Sequence, residues 1–316
     1  MGQQCNNLYF QKVGYVKQVF YQYRMMKKTG VFYHPSFSRR SYLTRGARLE
    51  NFPEAIEHLL ARDNVTFYES PPIEEEWILK VHTPELVQGV AMDPLCSTAR
   101  HSVGGVVLAG EKICTGEIDN AFAFIGAGGH HSGRNFFGGY CCFNDVVIMI
   151  TYLREIHSVR RFAVMDTDAH HGDGTRDLLG NDPDVLHVCC CSMDFESPDG
   201  TKVDIKAPGS FWGLWGCGND KNIDQTYAEK IKNEFYPRVM DFKPELIIWY
   251  FGFDTHKGDY GSLGLSGRCY QEIARFMLQL ADEATGGRLE VVLAGGSRTD
   301  IATSVIPPII QILSET

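Results

Sequence analysis

Short apolar segments alternate with longer segments of helical periodicity along most of this chain. The predicted strands are 30–33, 66–68, 121–125, 161–165, 185–190, 246–250 and 289–293, and the predicted helices are 49–61, 73–81, 98–114, 144–156, 224–241, 270–284 and 301–313. Apolar strands that alternate with helices are typical of a parallel sheet covered on both faces. We therefore predict a single α/β domain, a three-layer αβα sandwich whose mostly parallel sheet has about eight strands.

Composition narrows the class of protein further. With 316 residues and 44% hydrophobic content, the chain can bury a large core. The net charge of −9 argues against direct nucleic-acid binding and is compatible with a basic substrate such as a lysine side chain or a polyamine. No apolar run is long enough to span a membrane, so no membrane partner is predicted. The ten cysteines form no CxxC pair, which favours reduced thiols and a cytoplasmic location.

Two segments stand apart from the strand-helix alternation. Residues 1–28 are rich in Gln, Tyr and Lys, and we predict that they form an N-terminal accessory arm before a folded domain at 29–316. Residues 192–222 contain Gly and Pro and show no regular period. Long irregular segments of this kind are often functional loops, so we predict a loop there.

The most polar stretch of the chain directly follows the apolar segment 161–165. Five ionisable side chains occur within eight residues, at Asp166, Asp168, His170, His171 and Asp173. Residues two apart in a strand point to the same side, so alternate members of this set converge as the strand ends. Because such polarity is costly in a core unless something binds it, we interpret the stretch as part of a divalent metal site. A polar loop with a hydrogen-bonded histidine pair is the alternative.

Three other predicted strands also end in polar or glycine-rich residues, at His130-His131, at Asp254 and at Gly295-Gly296. Ligands of open parallel sheets bind outside the carboxyl ends of the strands, so these segments are expected to meet. Asp254 would then join Asp168 and His170 as the third metal ligand. Two carboxylates and one histidine leave an open position for water and substrate. On its own, Asp254 would be more typical of a helix or turn cap.

Two adjacent histidines at a strand end suit a general base and a general acid beside an activated water. Each ring needs a carboxylate or a carbonyl to orient it, and Asp166 and Asp173 remain available. The glycine-rich segment 126–129 in front of His130 and His131 has neither GxGxxG nor Walker spacing. The sequence therefore argues against a nucleotide site there.

Four motifs together resemble the zinc-dependent histone deacetylases and their bacterial and archaeal relatives. Residues 128–132 (GGHHS) resemble PGHHA, and residues 139–145 (GYCCFND) resemble GFCxFND. Residues 166–175 (DTDAHHGDGT) closely resemble DxDxHHGDGT, and residues 252–256 (GFDTH) resemble GFDAH. The resemblance covers about residues 29–313 and implies the arginase-deacetylase fold, with the catalytic domain at 29–316.

The resemblance also implies a role for each matching residue. The implied ligands of one catalytic Zn²⁺ are Asp168, His170 and Asp254. The implied catalytic residues are His130 and His131, backed by Asp166 and Asp173 respectively. Gly139 would accept a hydrogen bond from the substrate amide through its carbonyl, and Tyr140 would line the acyl-lysine tunnel. The family's structural K⁺ site is implied at Asp166, Asp168, His170 and backbone oxygens near Cys189-Cys190.

One position departs from the family pattern. The family has Gly-Gly-Tyr after the last strand, where the Tyr hydroxyl polarises the scissile carbonyl, but this chain has Ser297 there. Ser297 is too short to take that role, and losing one oxyanion donor costs about two to three orders of magnitude in rate. Tyr260 and Arg298 are the candidates to replace the missing Tyr. If neither does, Ser297→Tyr is expected to raise turnover of acetyl-lysine substrates.

These features predict a zinc-dependent amidohydrolase that removes an acyl group from an N-acyl lysine, an acylated polyamine or another small amine. Two alternatives stay open. The first is an acyl-lysine-binding module with weak or no turnover, which Ser297 motivates. The second is an arginase-like ureohydrolase with two Mn²⁺ ions, which needs more carboxylates around the metals.

Overall fold

The computed structural model describes residues 26–38, 48–209 and 222–315. Nearly all of the predicted accessory arm, 1–28, lies outside the described residues, and so do residues 210–221 of the predicted loop. None of the helices in the described part of the chain has the length and apolarity that crossing a membrane requires.

A single sheet organises the described residues. Its strands are β1 (Thr29–Tyr33), β2 (Val65–Glu69), β3 (Asn120–Ala123), β4 (Phe162–Asp166), β5 (Val185–Cys191), β6 (Phe195–Glu196), β7 (Lys202–Lys206), β8 (Leu246–Phe251) and β9 (Leu289–Leu293). They lie in the order β2-β1-β3-β9-β8-β4-β5-β7-β6. All neighbouring strands pair in parallel except β6 and β7, which are antiparallel. The mostly parallel sheet is confirmed, with nine strands rather than about eight.

Strands β6 and β7 fall within 192–222, so the prediction of an irregular loop was wrong for these residues. Lys202 and Asp204 of β7 are buried charged residues, which hide the apolar pattern of a strand. Lys202 Nζ donates to the carbonyl oxygens of Asp182 and Val185, at 2.8 Å each. Asp204 accepts from Arg176 Nη2 at 2.7 Å. These partners offset the cost of burying the two charges.

Nine helices surround the sheet in the described residues. They are α1 (Glu57–Leu60), α2 (Glu75–Val81), α3 (Pro84–Met92), α4 (Ala99–Cys114), α5 (Asp145–His157), α6 (Asp173–Leu179), α7 (Ile223–Phe242), α8 (Gly267–Thr285) and α9 (Thr299–Ser314). Helices α2, α4 and α5 pack into one group, and α7, α8 and α9 pack into another. Both groups contact the sheet, which gives the predicted three-layer αβα sandwich.

The structure departs from the predicted helices in three places, one of which is α6, a short helix that was not predicted. The helix predicted over 49–61 is short, because turns and a 3-10 turn at Glu54–Ile56 precede α1. Helix α3 was not predicted, although Pro84 occupies its first turn and the Thr83 side chain accepts from Leu86 N at 3.3 Å. This pairing of a Thr cap with a Pro in the first turn is a normal helix start signal.

The strand order places the polar segments together. β3, β9, β8 and β4 are consecutive and mutually parallel, so their carboxyl ends lie at one edge of the sheet. The residues that follow these strands are, in the same order, His130-His131, Gly295-Gly296, Asp254 and the Asp166–Asp173 stretch. Segments more than 150 residues apart in the sequence therefore meet at the position where open parallel sheets bind their ligands.

Glu290 in β9 is a carboxyl buried in the core of the protein. It is fully buried, and neither carboxylate oxygen has a hydrogen-bond partner among the described residues. Burial, and then the charge of Asp145, raises the pKa of Glu290 well above its usual value. The folded state therefore holds a proton that the unfolded state releases. As the pH rises from the pKa of the unfolded carboxyl to that of the folded one, the free energy of unfolding falls by about 1.4 kcal/mol per pH unit.

We expect Glu290→Gln to raise the Tm at about pH 8, where the wild-type carboxyl must stay protonated at the greatest cost. The gain should shrink towards about pH 5, because that pH lies close to the pKa of the unfolded carboxyl, where protonating it costs little free energy. Thermal unfolding of both proteins across this range measures the difference. A Tm difference independent of pH would contradict the neutral, buried state of Glu290.

Candidate active site

The three predicted metal ligands meet at the strand ends. His170 Nδ1 lies 2.9 Å from Asp168 Oδ1 and 3.1 Å from Asp254 Oδ2. One ligand atom from each residue lies within 4.8 Å of the others. Backbone groups hold the remaining carboxylate oxygens, since Asp168 Oδ2 accepts from Gly295 N at 2.7 Å and Asp254 Oδ1 accepts from Ala169 N at 3.1 Å. Each carboxylate is therefore oriented so that its other oxygen faces the imidazole.

The electrostatics of this trio fit a bound cation. Hydrogen bonds to Asp168 and Asp254 raise the pKa of His170 to about 11. Burial, and then the charge of Asp168, raises the pKa of Asp254 to about 7. The buried Asp254 Oδ2 has no well-aligned hydrogen-bond donor among the described residues. Because metal binding requires deprotonated ligands, a divalent ion would replace the proton that the trio otherwise shares.

The two predicted catalytic histidines stand beside the trio, and each contacts the carboxylate assigned to it. His130 Nδ1 lies 3.0 Å from Asp166 Oδ2, and His131 Nδ1 lies 2.6 Å from Asp173 Oδ1. The two imidazole rings are 4.1 Å apart between centroids. With Nδ1 engaged in each ring, Nε2 is the other nitrogen; in His130 it lies 3.7 Å from Asp168 Oδ1, and in His131 it is the atom left to face a substrate.

The two histidines have different environments. Burial lowers the pKa of His130, but the Asp168 and Asp166 charges outweigh it and bring the pKa to about 9. Burial, and then the charge of His130, lowers the pKa of His131 below its usual value. Neighbouring groups whose pKa values are pushed apart in this way can take separate acid and base roles.

A cleft of about 180 Å³ opens over these groups. It is lined by Gly128, His130, His131, Gly139, Tyr140, Cys141, Asp168, His170, Tyr250, Tyr260, Ala294 and Gly295. The predicted substrate residues Gly139 and Tyr140 therefore lie at the cleft. Both have positive φ, of 54° and 65°, and Tyr140 is 44% exposed. A Cβ at residue 139 would clash with the His131 ring, so Gly139 permits the close approach.

Ser297, the third predicted substrate residue, lies elsewhere. Its Oγ donates to Asp259 Oδ1 at 3.0 Å, and its N–H also points at the Asp259 carboxylate. Ser297 is not among the residues that line the cleft. Arg298 also points away, because its Nε donates to Asp300 Oδ1 at 2.9 Å on the surface. The contact of Ser297 with substrate therefore stays a prediction, and in this structure Asp259 holds the Ser297 side chain.

Tyr260 occupies the cleft instead. Its Oη accepts from Gly296 N at 3.2 Å, and its ring stacks on His170 with 5.6 Å between centroids. A Cβ added at Gly295 would clash with Asp168 Oδ2 and lie 2.9 Å from both Asp254 Oδ2 and Tyr260 Oη. The phenol oxygen is therefore a neighbour of the Asp168 and Asp254 carboxylates. Burial, and then the Asp254 and Asp168 charges, raise the pKa of Tyr260 well above its usual value, so the phenol stays protonated.

Sequence reasoning missed two residues that support the site. Tyr250 at the end of β8 accepts from Gly129 N at 2.9 Å and from His130 N at 3.3 Å, which fixes the histidine segment. Arg48 is buried and donates to Ala294 O at 2.6 Å, to Gly296 O at 3.1 Å and to Ile125 O at 3.0 Å. Arg48 thereby joins the segments after β9 and β3, and nothing local in the sequence indicates this role.

The predicted potassium ligands also lie near one another. Asp166 pairs in register with Cys189 across β4 and β5, and Cys189 Sγ is 3.9 Å from His170 O. These distances are compatible with a potassium site, which stays a prediction.

The fold and the site define an open parallel α/β protein with a carboxylate-histidine cluster at its strand ends. Comparison with protein-family models matches residues 90–313 to the histone deacetylase domain. The chain therefore belongs to the histone deacetylase family.

Individual relatives agree with this assignment. The probable deacetylase of Archaeoglobus fulgidus is 29% identical over 297 residues, which cover 85% of this chain and 81% of that protein. Histone deacetylase 9 of Homo sapiens is 29% identical over 209 residues, 63% of this chain and 20% of its own length. The polyamine deacetylase HDAC10 of Mus musculus is 27% identical over 228 residues, 68% of this chain and 33% of its own length. This chain thus spans a third or less of the two mammalian proteins.

A solved structure supports the fold independently. The crystal structure of the HDA15 HD domain superposes with a TM-score of 0.75, covering 91% of this chain and 89% of that one, at 19% identity. Similarity at this identity shows a shared fold, and the chemistry of the site has to be argued from its own residues.

Proposed function

We propose that this chain is a zinc-dependent amidohydrolase that removes an acyl group from an N-acyl lysine, an acylated polyamine or another small amine, with 29–316 as the catalytic domain. The observation that carries the proposal is the meeting of the Asp168, His170 and Asp254 trio with the paired histidines in one cleft. Membership of a family with named deacetylases, one of them a polyamine deacetylase, supports both the reaction and the substrate classes. The net charge of −9 suits a cationic amine.

Asp168, His170 and Asp254 would hold the zinc ion. One imidazole and two carboxylates suit Zn²⁺, and three protein ligands leave a position open, as catalytic zinc sites do. When bound, Zn²⁺ supplies Lewis acidity to an amide carbonyl and a water molecule at this position. A ureohydrolase with two Mn²⁺ ions would need more carboxylates than this described cluster contains.

His131 is the proposed general base. Its Nδ1 is held by Asp173, so Nε2 can take the proton of the attacking water, and its lowered pKa keeps the ring neutral before the reaction. The water oxygen bonds to the amide carbon, and the carbon–nitrogen bond then breaks. One histidine of the pair returns a proton to the leaving amine, so the products are a carboxylate and a free amine.

Tyr260 is the proposed oxyanion donor, in place of the Tyr that the family pattern has at the position of Ser297. Gly296 N–H already donates to the phenol oxygen, which leaves the phenol proton for another acceptor. That oxygen lies next to the ligand carboxylates, in the same cleft as both histidines. A hydroxyl placed there would donate to the amide oxygen as negative charge develops on it.

A substrate panel tests the proposal. The protein would be incubated with acetyl-lysine and longer acyl-lysine peptides, a trifluoroacetyl-lysine reporter and acetylated polyamines, with and without a hydroxamate inhibitor. We expect hydrolysis of at least one amide and its suppression by the hydroxamate. Hydroxamate binding without turnover of any substrate would favour the acyl-lysine-binding module. Neither binding nor turnover would overturn the proposal.

A further inference from the structure

A second cluster of side chains that could bind a metal lies next to the active site, and one of its members, His171, directly follows His170. It contains His171, Cys189, Cys191 and Asp204, and one ligand atom from each residue lies within 4.8 Å of the others. We propose a second, structural site for a borderline-soft divalent ion of the zinc class, formed by these four residues. The site is separate from the proposed catalytic trio and uses none of its side chains.

The fold brings the four side chains together. Cys189 and Cys191 are two residues apart on β5, so their thiols point to the same side of the sheet. Asp204 on the neighbouring strand β7 pairs in register with Cys189. His171 reaches the cluster from the loop after β4. Both thiols and the carboxylate are buried.

The distances suit a tetrahedral ion. With zinc–ligand bonds of about 2.3 Å to sulfur and about 2.1 Å to nitrogen or oxygen, a tetrahedron has nitrogen–sulfur edges of about 3.6 Å and nitrogen–oxygen edges of about 3.4 Å. His171 Nδ1 lies 3.7 Å from Cys191 Sγ and 3.4 Å from Asp204 Oδ1. These two edges match a tetrahedral ion, and Cys189 Sγ lies within 4.8 Å of the other three donor atoms.

The charges also balance. Two thiolates and one carboxylate carry three negative charges, and a divalent ion would leave one of them uncompensated. The Arg176 guanidinium supplies the remaining positive charge, because its Nη2 lies 2.7 Å from Asp204 Oδ1. Thiolate and imidazole donors select zinc-like ions over Mg²⁺ or K⁺, and four protein ligands leave no open position for water. The ion would therefore be structural, and would tie β5 and β7 to the loop next to His170.

Cobalt spectroscopy tests the site without relying on activity. Thiolate ligands give Co²⁺ an intense near-ultraviolet charge-transfer band, which the sulfur-free trio of Asp168, His170 and Asp254 cannot produce. We expect the metal-free wild-type protein to show this band when Co²⁺ is added. Absence of the band in the folded wild-type protein would overturn the proposal, even if the catalytic trio binds metal.

Paired variants locate the ligands. Cys191→Ser should abolish most of the band and lower the zinc content of the purified protein by about one ion per chain. Cys190→Ser is the matched control, because this buried thiol lies on the opposite face of the same strand. The control should keep both the band and the zinc. Equal spectra for the two variants would overturn the assignment, and circular dichroism would verify that both are folded.

Discussion

Replacing Tyr260 with Phe should lower kcat for the best substrate by about 10²–10³-fold, the usual cost of removing one oxyanion donor. The proposed phenol O–H donor would stabilise charge that develops only in the transition state, so the loss should fall on kcat more than on KM. The ring stacked on His170 is retained, so metal content and hydroxamate binding should change little. Steady-state kinetics with the same substrate for both proteins measure the effect.

Ser297→Ala is the matched control for Tyr260→Phe. The Ser297 hydroxyl contacts Asp259 and does not line the cleft, so kcat should stay close to wild type. Ser297→Tyr should not raise turnover either, because the proposed phenol donor, Tyr260, already lines the cleft. Full activity of Tyr260→Phe, or a rise in turnover for Ser297→Tyr, would contradict this assignment.

Asp168→Ala should remove both the catalytic metal and the activity. A bound metal contributes several kcal/mol of transition-state stabilisation. At about 1.4 kcal/mol per factor of ten, its loss lowers kcat/KM by about three orders of magnitude or more. Metal analysis and hydrolysis of an acyl-lysine peptide measure the two losses together.

Asp168 is buried, so loss of activity could also follow from unfolding. Asp168→Asn keeps the shape of the side chain and removes its charge, and it should also lose the metal. Thermal unfolding of both variants separates the two causes. Unchanged metal content and activity in a folded Asp168→Asn protein would reject the ligand assignment.

The sequence predicted the part of the fold that carries the site. Apolar strands such as Phe162–Asp166 and Leu246–Phe251 are continuous hydrophobic runs, and they end in residues whose polarity favours a binding site over a packed core. Because ligands of open parallel sheets bind outside the carboxyl ends of the strands, the sequence alone predicted which segments meet. Local pattern and topology were sufficient to predict that the trio and the histidine pair lie together, and their roles stay predictions.

Long-range contacts account for what the sequence could not predict. Tyr260 and Arg298 were equal candidates for the missing phenol, because a sequence does not show which side chain turns inward. The contacts of Tyr260 Oη with Gly296 N and of Arg298 with Asp300 favour Tyr260 as the proposed donor. Strand β7 was missed for a related reason, since partners far along the chain satisfy the buried charges of Lys202 and Asp204.

The most direct test of the central claim is the rate of acyl release before metal removal, after chelation and after return of Zn²⁺. The assay would use the best acyl-lysine or acyl-polyamine substrate of the panel. We expect that chelation abolishes hydrolysis, that Zn²⁺ restores it in the wild-type protein, and that Zn²⁺ does not restore it in Asp168→Asn. Undiminished hydrolysis by the metal-free protein would contradict the assignment of this cleft as a zinc-dependent amidohydrolase site.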